Sequence, residues 1–133
     1  MVPSFDLAPV PVSQALPKRR RLRARADFQK VYTEGQRYNG RLLAAFLRKN
    51  EVSEHRLGVT ASTKAIGKSV DRNRTKRLLR ELFRRSSGDL IALQQTYDWV
   101  LNAKRSLLDS SEEQRFREFR KIIAQVTRDE QRG

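Results

Sequence analysis

Cysteine is absent from the 133-residue chain, which excludes a disulfide framework, a thiolate zinc site and a cysteine nucleophile. Histidine occurs once, as His55, so the usual imidazole chemistry is nearly excluded as well. No apolar run approaches the roughly 18–20 residues that a bilayer-spanning helix needs. Proline is confined to residues 1–17, which hold all four prolines and no Lys or Arg. Proline lacks the N–H that helices and interior strands use, so this stretch is expected to be an extended, flexible tail. It does not read as an export signal, whose positive charge precedes its apolar stretch; here Lys18, Arg19, Arg20 and Arg21 follow it. The expected location is the cytoplasm. Acidic residues are scarce too: 15 Asp and Glu stand against 29 Lys and Arg, a formal net charge of +14 that points to a polyanionic partner.

What remains is enough for one folded domain, residues 18–133, opening on a basic arm at 18–25 that carries six cationic side chains. The arm reads either as a solvated flexible segment or as a strand-tracking arm that orders on nucleic acid. A short helix is expected from about Ala26 to Glu34, with Phe28, Val31 and Tyr32 on one face and Gly35 ending it in the left-handed conformation. Leu42 to Leu47 reads as a strand with Leu43, Ala45 and Leu47 on one face and Leu42, Ala44 and Phe46 on the other. A polar turn at Asn50–Glu54 then leads to an alternating stretch from Leu57 to Ser62, expected as an antiparallel partner. Gly67 marks a loop. Residues 71–85 predict an amphipathic helix, with Leu78, Leu79, Leu82 and Phe83 as its apolar stripe. Tyr97, Trp99 and Leu101 alternate with Asp98, Val100 and Asn102 as a last strand. Ser110 and Glu113 match a capping box at the head of a final helix, about 111–128, whose buried face carries Phe116, Phe119, Ile122, Ile123 and Val126. The order helix, strands, helix, strand, helix describes a single α+β domain.

Residues for bond chemistry are missing. No serine lies in a nucleophile-elbow context and no Walker-type glycine loop precedes a helix. Glu112 and Glu113 sit in a first helical turn, where carboxylates complement the macrodipole, and no further ligands stand at metal-binding spacing. His55, in a polar turn with no carboxylate partner, reads as a surface histidine.

Binding chemistry is plentiful. Between Arg72 and Arg85 lie seven cationic side chains and one acid, Glu81, so i,i+4 pairing along the helix cannot neutralise them. Arginine outnumbers lysine there, which suits bidentate contact with phosphate oxygens. Phe28, Tyr32 and Phe46 lie between basic segments and would line a groove for unpaired bases if the first helix packs beside the strand face carrying Ala44 and Phe46. The same aromatics could equally be core. A basic-zipper reading fails, because the leucines do not continue over the heptads required.

Arg72-Asn73-Arg74-x-Lys76-Arg77-x-x-Arg80-Glu81 resembles the signature of the protein subunit of bacterial ribonuclease P. Upstream context is similar as well: Arg56-Leu57-Gly58-Val59, Thr63-Lys64, Ile66-Gly67 and Val70, with Asp27-Phe28-x-x-Val31-Tyr32-x-x-Gly35 nearer the N-terminus. The resemblance covers about residues 20–125. It implies an endoribonuclease subunit that, with a catalytic RNA, removes the 5′ leader of precursor tRNA. Hydrolysis is then carried by the RNA with Mg²⁺ held by RNA and substrate, and the protein alone is expected to be inactive. By the same resemblance, Arg72, Asn73, Arg74, Lys76, Arg77 and Arg80 contact ribonuclease P RNA. The single-stranded leader lies in a cleft that here maps to Phe28, Tyr32, Ala44 and Phe46, with Lys64 as a cationic neighbour. Phe46 stands where the family commonly has tyrosine, so a phenolic hydrogen bond would be lost while stacking remains; Lys64-Ala65 replaces a frequent pair of lysines, and Ser69-Val70 a frequent Ala-Val. The implied fold is an antiparallel-rich mixed sheet with helices packed on it and a left-handed strand–helix–strand crossover, against the usual rule. No protein partner is indicated. A ribosomal-type RNA scaffold would share this composition and lack the motif; a self-sufficient metal nuclease would need ligands the chain does not offer.

Overall fold

The computed structural model describes residues 17–132; of the expected tail, residues 1–16 lie outside the described residues. Four strands form, β1 (Gln36–Asn39), β2 (Leu43–Lys49), β3 (Arg56–Thr60) and β4 (Tyr97–Ala103), in the spatial order β1-β2-β4-β3. Five helices accompany them: α1 (Arg25–Glu34), α2 (Thr63–Ile66), α3 (Ser69–Arg85), α4 (Ser87–Ile91) and α5 (Glu112–Arg132). The α+β reading holds, and the sheet is mixed: β1–β2 and β2–β4 are antiparallel, β3–β4 parallel.

Strand alternation sorts the core into two parts. Leu43, Ala45, Leu47, Leu57, Trp99 and Leu101 point to one face, where they meet Leu79, Leu82 and Phe83 of α3 and Phe119, Ile122, Ile123 and Val126 of α5. Trp99 is fully buried there, edge-on to both Phe83 and Phe119. The opposite face is covered only in part, by α1 and the arm. Leu22, Val31 and Val100 form a second, small cluster there, with half-buried Phe28 and Phe46 packed against it.

Several expectations are corrected. The strand after the Asn50–Glu54 turn is not an antiparallel partner of β2. It pairs in parallel with β4, Gly58 opposite Val100, and β4 lies between β2 and β3. Residues 50–55 therefore arch over the start of β4, and polar contacts fix the arch. Asn50 N donates to the Thr96 carbonyl at 3.0 Å, and Asp98, 3% exposed, accepts from Asn50 Nδ2 and from both ends of the Arg56 fork. The long connection through α2, α3 and α4 is what permits a parallel pair.

His55 is not a surface residue. It is 6% exposed, and its Nδ1 accepts from the Tyr97 backbone N–H and from Trp99 Nε1, both at 3.1 Å. Two donors on Nδ1 put the proton on Nε2, which donates to the Leu90 carbonyl at 3.0 Å. Burial pushes the imidazole below its ordinary pKa of 6.5, with the Leu90 hydrogen bond opposing.

Gly35 does end α1, but in extended backbone (φ −90°, ψ 175°) rather than left-handed. Glycine is required there by close approach: a Cβ would stand 2.4 Å from the Leu47 carbonyl oxygen and 2.5 Å from that of Val31. The capping box of α5 lies one residue later than read, between Ser111 and Gln114. Ser111 Oγ accepts from Gln114 N, and Gln114 Oε1 accepts from Ser111 N. Glu112 and Glu113 do occupy the first turn.

The basic arm is not a loose segment. Lys18–Arg20 make one tight helical turn, Arg21 forms a parallel bridge with Leu57, and Leu22 N donates to the Leu57 carbonyl at 2.8 Å.

Candidate nucleic-acid interface

The sheet presents α3 on its closed face. Gly67, with φ +95°, makes the turn into this helix, and the Arg72 guanidinium donates back to the Gly67 carbonyl, tying the turn to the first helical residues. Thr75, Leu79, Leu82 and Phe83 are buried, and Leu78 is half-buried beside them. That leaves Asn73, Arg74, Arg77 and Arg80 exposed, with Lys76 half-buried. The seven cations of this stretch do not share one fate. Arg84 takes Glu81, the one acid between Arg72 and Arg85; Arg85 pairs with Glu112 of α5 at 2.8 Å and stands 4.7 Å from the Phe116 ring centroid. Among the described residues, Arg74, Lys76, Arg77 and Arg80 have no ion-pair partner. Partial burial, and then the charge of Arg21, hold the Arg80 guanidinium below its ordinary pKa. The uncompensated charge thus lies on the N-terminal and middle turns of α3, where Arg72, Asn73, Arg74, Lys76, Arg77 and Arg80 of the signature fall together.

On the other face, α1 brings Phe28 and Tyr32 beside β2. Register places Ala44 opposite Asn102 and Asn39, and Phe46 opposite Val100 and Arg37, so these side chains share the half-open surface. Tyr32, 39% exposed, stands edge-on to Phe46 with ring centroids 4.9 Å apart. Its hydroxyl donates to Asn102 Oδ1 at 3.0 Å, and the Thr60 hydroxyl donates to the same oxygen at 2.8 Å. The Arg37 guanidinium lies 5.6 Å from the Phe46 ring centroid. Ala44, 4% exposed, is a floor rather than a contact, small enough to leave room above it. Phe28 is half-buried on the small cluster, serving as core and wall at once. Lys64 is exposed on α2, four residues beyond Thr60, at the end of this face rather than among its aromatics.

Sequence reasoning missed part of this surface. Arg37 belongs to β1, a polar four-residue edge strand with no apolar alternation to reveal it. Asn102 and Thr60 are polar positions beside Leu101 and Val59, and that alternation was the available signal. Lys104 and Arg105 follow β4 directly. Lys104 Nζ is held by Asn39 Oδ1 at 2.8 Å and the Gly40 carbonyl, and Arg105 by the Ile66 carbonyl at 3.0 Å, neutral acceptors that leave both positive charges uncompensated. Among the described residues, no group of three or more His, Cys, Asp or Glu could hold a metal ion. A cavity of about 620 Å³ elsewhere, beside the end of α5, is lined by Tyr38 and Tyr97, whose hydroxyls donate to Asp129 and Glu130. Burial and those carboxylates raise both phenols well above the usual tyrosine range.

The family model for Ribonuclease P matches residues 16–127. The ribonuclease P protein component of Coxiella burnetii is 35% identical over 113 residues, covering 85% of this chain and 90% of that one. The component of Clostridium botulinum is 40% identical over 92 residues, 69% of this chain and 80% of its own. Among solved structures, the Staphylococcus aureus RNase P protein aligns with a TM-score of 0.68 at 28% identity, covering 81% of this chain and 97% of that one. The Thermotoga maritima RNase P protein aligns at 0.64 with 29% identity, covering 81% and 96%.

Proposed function

The chain belongs to the ribonuclease P protein component family, and on that footing we propose that it binds the catalytic RNA through α3 and the single-stranded 5′ leader of precursor tRNA through the half-open face of the sheet. Membership sets aside the ribosomal-scaffold reading. The observation that carries the proposal is the uncompensated charge of Arg74, Lys76, Arg77 and Arg80 on one helix whose opposite side is fully committed to the core. Such a surface attracts phosphates and repels itself without them. Arg72 contributes by fixing the turn at Gly67, and Asn73 offers an amide between two arginines. The leader face is supported by Tyr32 and Phe46, aromatic and partly open, above the Ala44 floor, with Phe28 as wall and Lys64 at its end.

Hydrolysis belongs to the RNA. On the family reading Mg²⁺ is held by RNA and substrate, and the protein supplies binding and position. It acts in the cytoplasm, where its tRNA precursors are cut.

Reconstitution tests this: protein, a bacterial ribonuclease P RNA, and 5′-labelled precursor tRNA at low Mg²⁺. Cleavage at the mature 5′ end with both components, and with neither alone, is the expected result. Arg74→Ala or Lys76→Ala should weaken binding to the RNA and reduce the slope of log K against log[salt] by about 0.7–0.9 per lost phosphate contact. Unchanged slopes would remove α3 from the interface. Tyr32→Ala should cost precursor tRNA about 1–3 kcal/mol of affinity while sparing mature tRNA; equal losses on both would remove the leader assignment.

A further inference from the structure

β1 is the edge strand on the side of the sheet away from β3. Within it, Tyr38 turns to the closed face, where its hydroxyl donates to Asp129 of α5 at 2.6 Å. Alternation therefore sets Arg37 and Asn39 on the half-open face, and both are exposed. Arg37 stands opposite Phe46 across the ladder, and Asn39 opposite Ala44. The Arg37 guanidinium lies over the Phe46 ring, 5.6 Å from its centroid, and one of its nitrogens donates to Asn39 Oδ1 at 3.4 Å. The same oxygen accepts from Lys104 Nζ at 2.8 Å. One neutral amide oxygen thus gathers two cations, one from β1 and one from the residue that follows β4. Among the described residues, neither cation has an ion-pair partner.

Like charges held against one neutral oxygen raise the energy of the free protein, and an anion set between them lowers it. A guanidinium offers phosphate oxygens a fork of donors, and an ammonium adds a compact charge. The pair adjoins the aromatic couple of Tyr32 and Phe46, so a strand stacked there has its backbone within reach of the β1 edge. We propose that Arg37 and Lys104 grip one phosphodiester of the leader, which crosses the β1 edge at that point. Asn39 is the positioning residue: it holds the two cations together without neutralising them. Such a contact reads backbone charge and not base identity, so it favours any leader long enough to reach β1. This inference rests on the assignment of the half-open face to the leader.

The probe is precursor tRNA carrying a single uncharged methylphosphonate linkage, moved stepwise along the leader and bound to the holoenzyme of full-length protein and ribonuclease P RNA. Arg37→Ala and Lys104→Ala should each weaken precursor binding by about tenfold, the scale of one charge-assisted contact, and leave mature tRNA unaffected. At one linkage the methylphosphonate should weaken the unaltered holoenzyme to a similar degree and cost both variants little more, because all three changes remove the same contact. Asn39→Asp puts a carboxylate between the two cations. It should lower precursor affinity at least as far as Arg37→Ala, without lowering Tm or affinity for ribonuclease P RNA. Variants relieved at two different linkages would overturn the shared grip, as would an Arg37→Ala holoenzyme that binds precursor normally. Tyr32→Ala separates the two levels of the argument: if it weakens precursor binding while Arg37→Ala does not, only the grip fails. If neither has an effect, the leader assignment of this face fails with it.

Discussion

Gly58→Ala makes the sharpest probe of how the leader face is built. Gly58 sits on β3 opposite Val100, beneath the ring of Phe28. An added Cβ would stand 2.5 Å from Phe28 Cζ, 2.8 Å from Cε2 and 3.2 Å from Leu22 Cβ. The first two contacts are far inside van der Waals separation. The atoms that must yield belong to the far end of a side chain, so the ring turns away and the strand stays where it is. Overpacking of this kind typically costs about 1–3 kcal/mol, seen as a Tm lower by roughly 4 °C for each kcal/mol in a domain of this size. Displacing the ring also moves the wall of the leader face, so precursor tRNA should lose affinity by up to about tenfold, within the range of one stacked base, while mature tRNA is unaffected. Phe28→Ala removes the clash partner. The double variant Phe28→Ala/Gly58→Ala should therefore be little less stable than Phe28→Ala alone, a strong coupling between touching residues. Thermal unfolding measures the first part, and competition between precursor and mature tRNA for the holoenzyme measures the second. Additive stability losses would refute the clash; a lowered Tm with unchanged discrimination would refute the role of Phe28 at the leader face.

Other perturbations read the polar joints of the fold. Asp98→Ala leaves the Arg56 fork without its carboxylate and Asn50 Nδ2 without its acceptor there, and since Arg56 is 28% exposed the expected loss is about 2–3 kcal/mol by urea denaturation, short of a fully buried pair. Glu118→Ala removes the acceptor of three consecutive backbone N–H groups, Arg41, Leu42 and Leu43, at 2.8–3.0 Å; a loss of about 2–3 kcal/mol is expected, and an unchanged denaturation midpoint would mean that water replaces the carboxylate without cost. His55 makes stability fall with acid. Its folded pKa lies below 6.5, chiefly through burial and with Arg20 pushing the same way, so its contribution is complete above pH 6.5 and shrinks below it as the unfolded chain takes up the proton. It is the only histidine, so the fall in Tm between pH 7 and pH 5.5 should be blunted in His55→Gln relative to its own value at pH 7; identical pH profiles would refute the argument.

Much of this architecture was readable from the sequence, for a definite reason. α3 and α5 bury wide stripes at helical spacing, and Trp99, Val100 and Leu101 belong to a strand buried on both faces, so local pattern and tertiary environment agree. β1 was unreadable because an edge strand can be wholly polar, as Gln36-Arg37-Tyr38-Asn39 nearly is. The place of β3 was misread because a short polar turn suggests a hairpin, while the decision was taken by β4, some 40 residues later, whose apolar middle claims the centre of the sheet. His55 was misread for a related reason: it lies among polar neighbours, but its partners Leu90, Tyr97 and Trp99 come from distant segments.

The signature on α3 could be read residue by residue, yet its charge state could not, because that depends on where the acids go. Counted along the helix, seven cations meet two carboxylates, Asp71 in the first turn and Glu81 near the end. In the fold, the acids of the rest of the chain are largely engaged elsewhere. Glu118 and Glu130 of α5 each hold backbone N–H groups of a remote loop, Asp129 accepts from Tyr38, Asp98 holds Arg56, Glu54 holds Arg19 and Glu34 holds Arg48. Among the described residues Glu112 alone crosses to α3, and it takes Arg85 at the far end. The same carboxylates that tie loops, arm and sheet together are thereby withheld from Arg74, Lys76, Arg77 and Arg80. A fold that uses its scarce acids as internal fasteners leaves its cationic helix in need of an external polyanion, so stability and RNA affinity draw on one distribution of charge. It follows that placing a new acid on α3, as in Asn73→Asp, should leave the denaturation midpoint unchanged or raise it by relieving repulsion, while weakening RNA binding most strongly at low salt. A variant that lost stability and kept its RNA affinity would break that link.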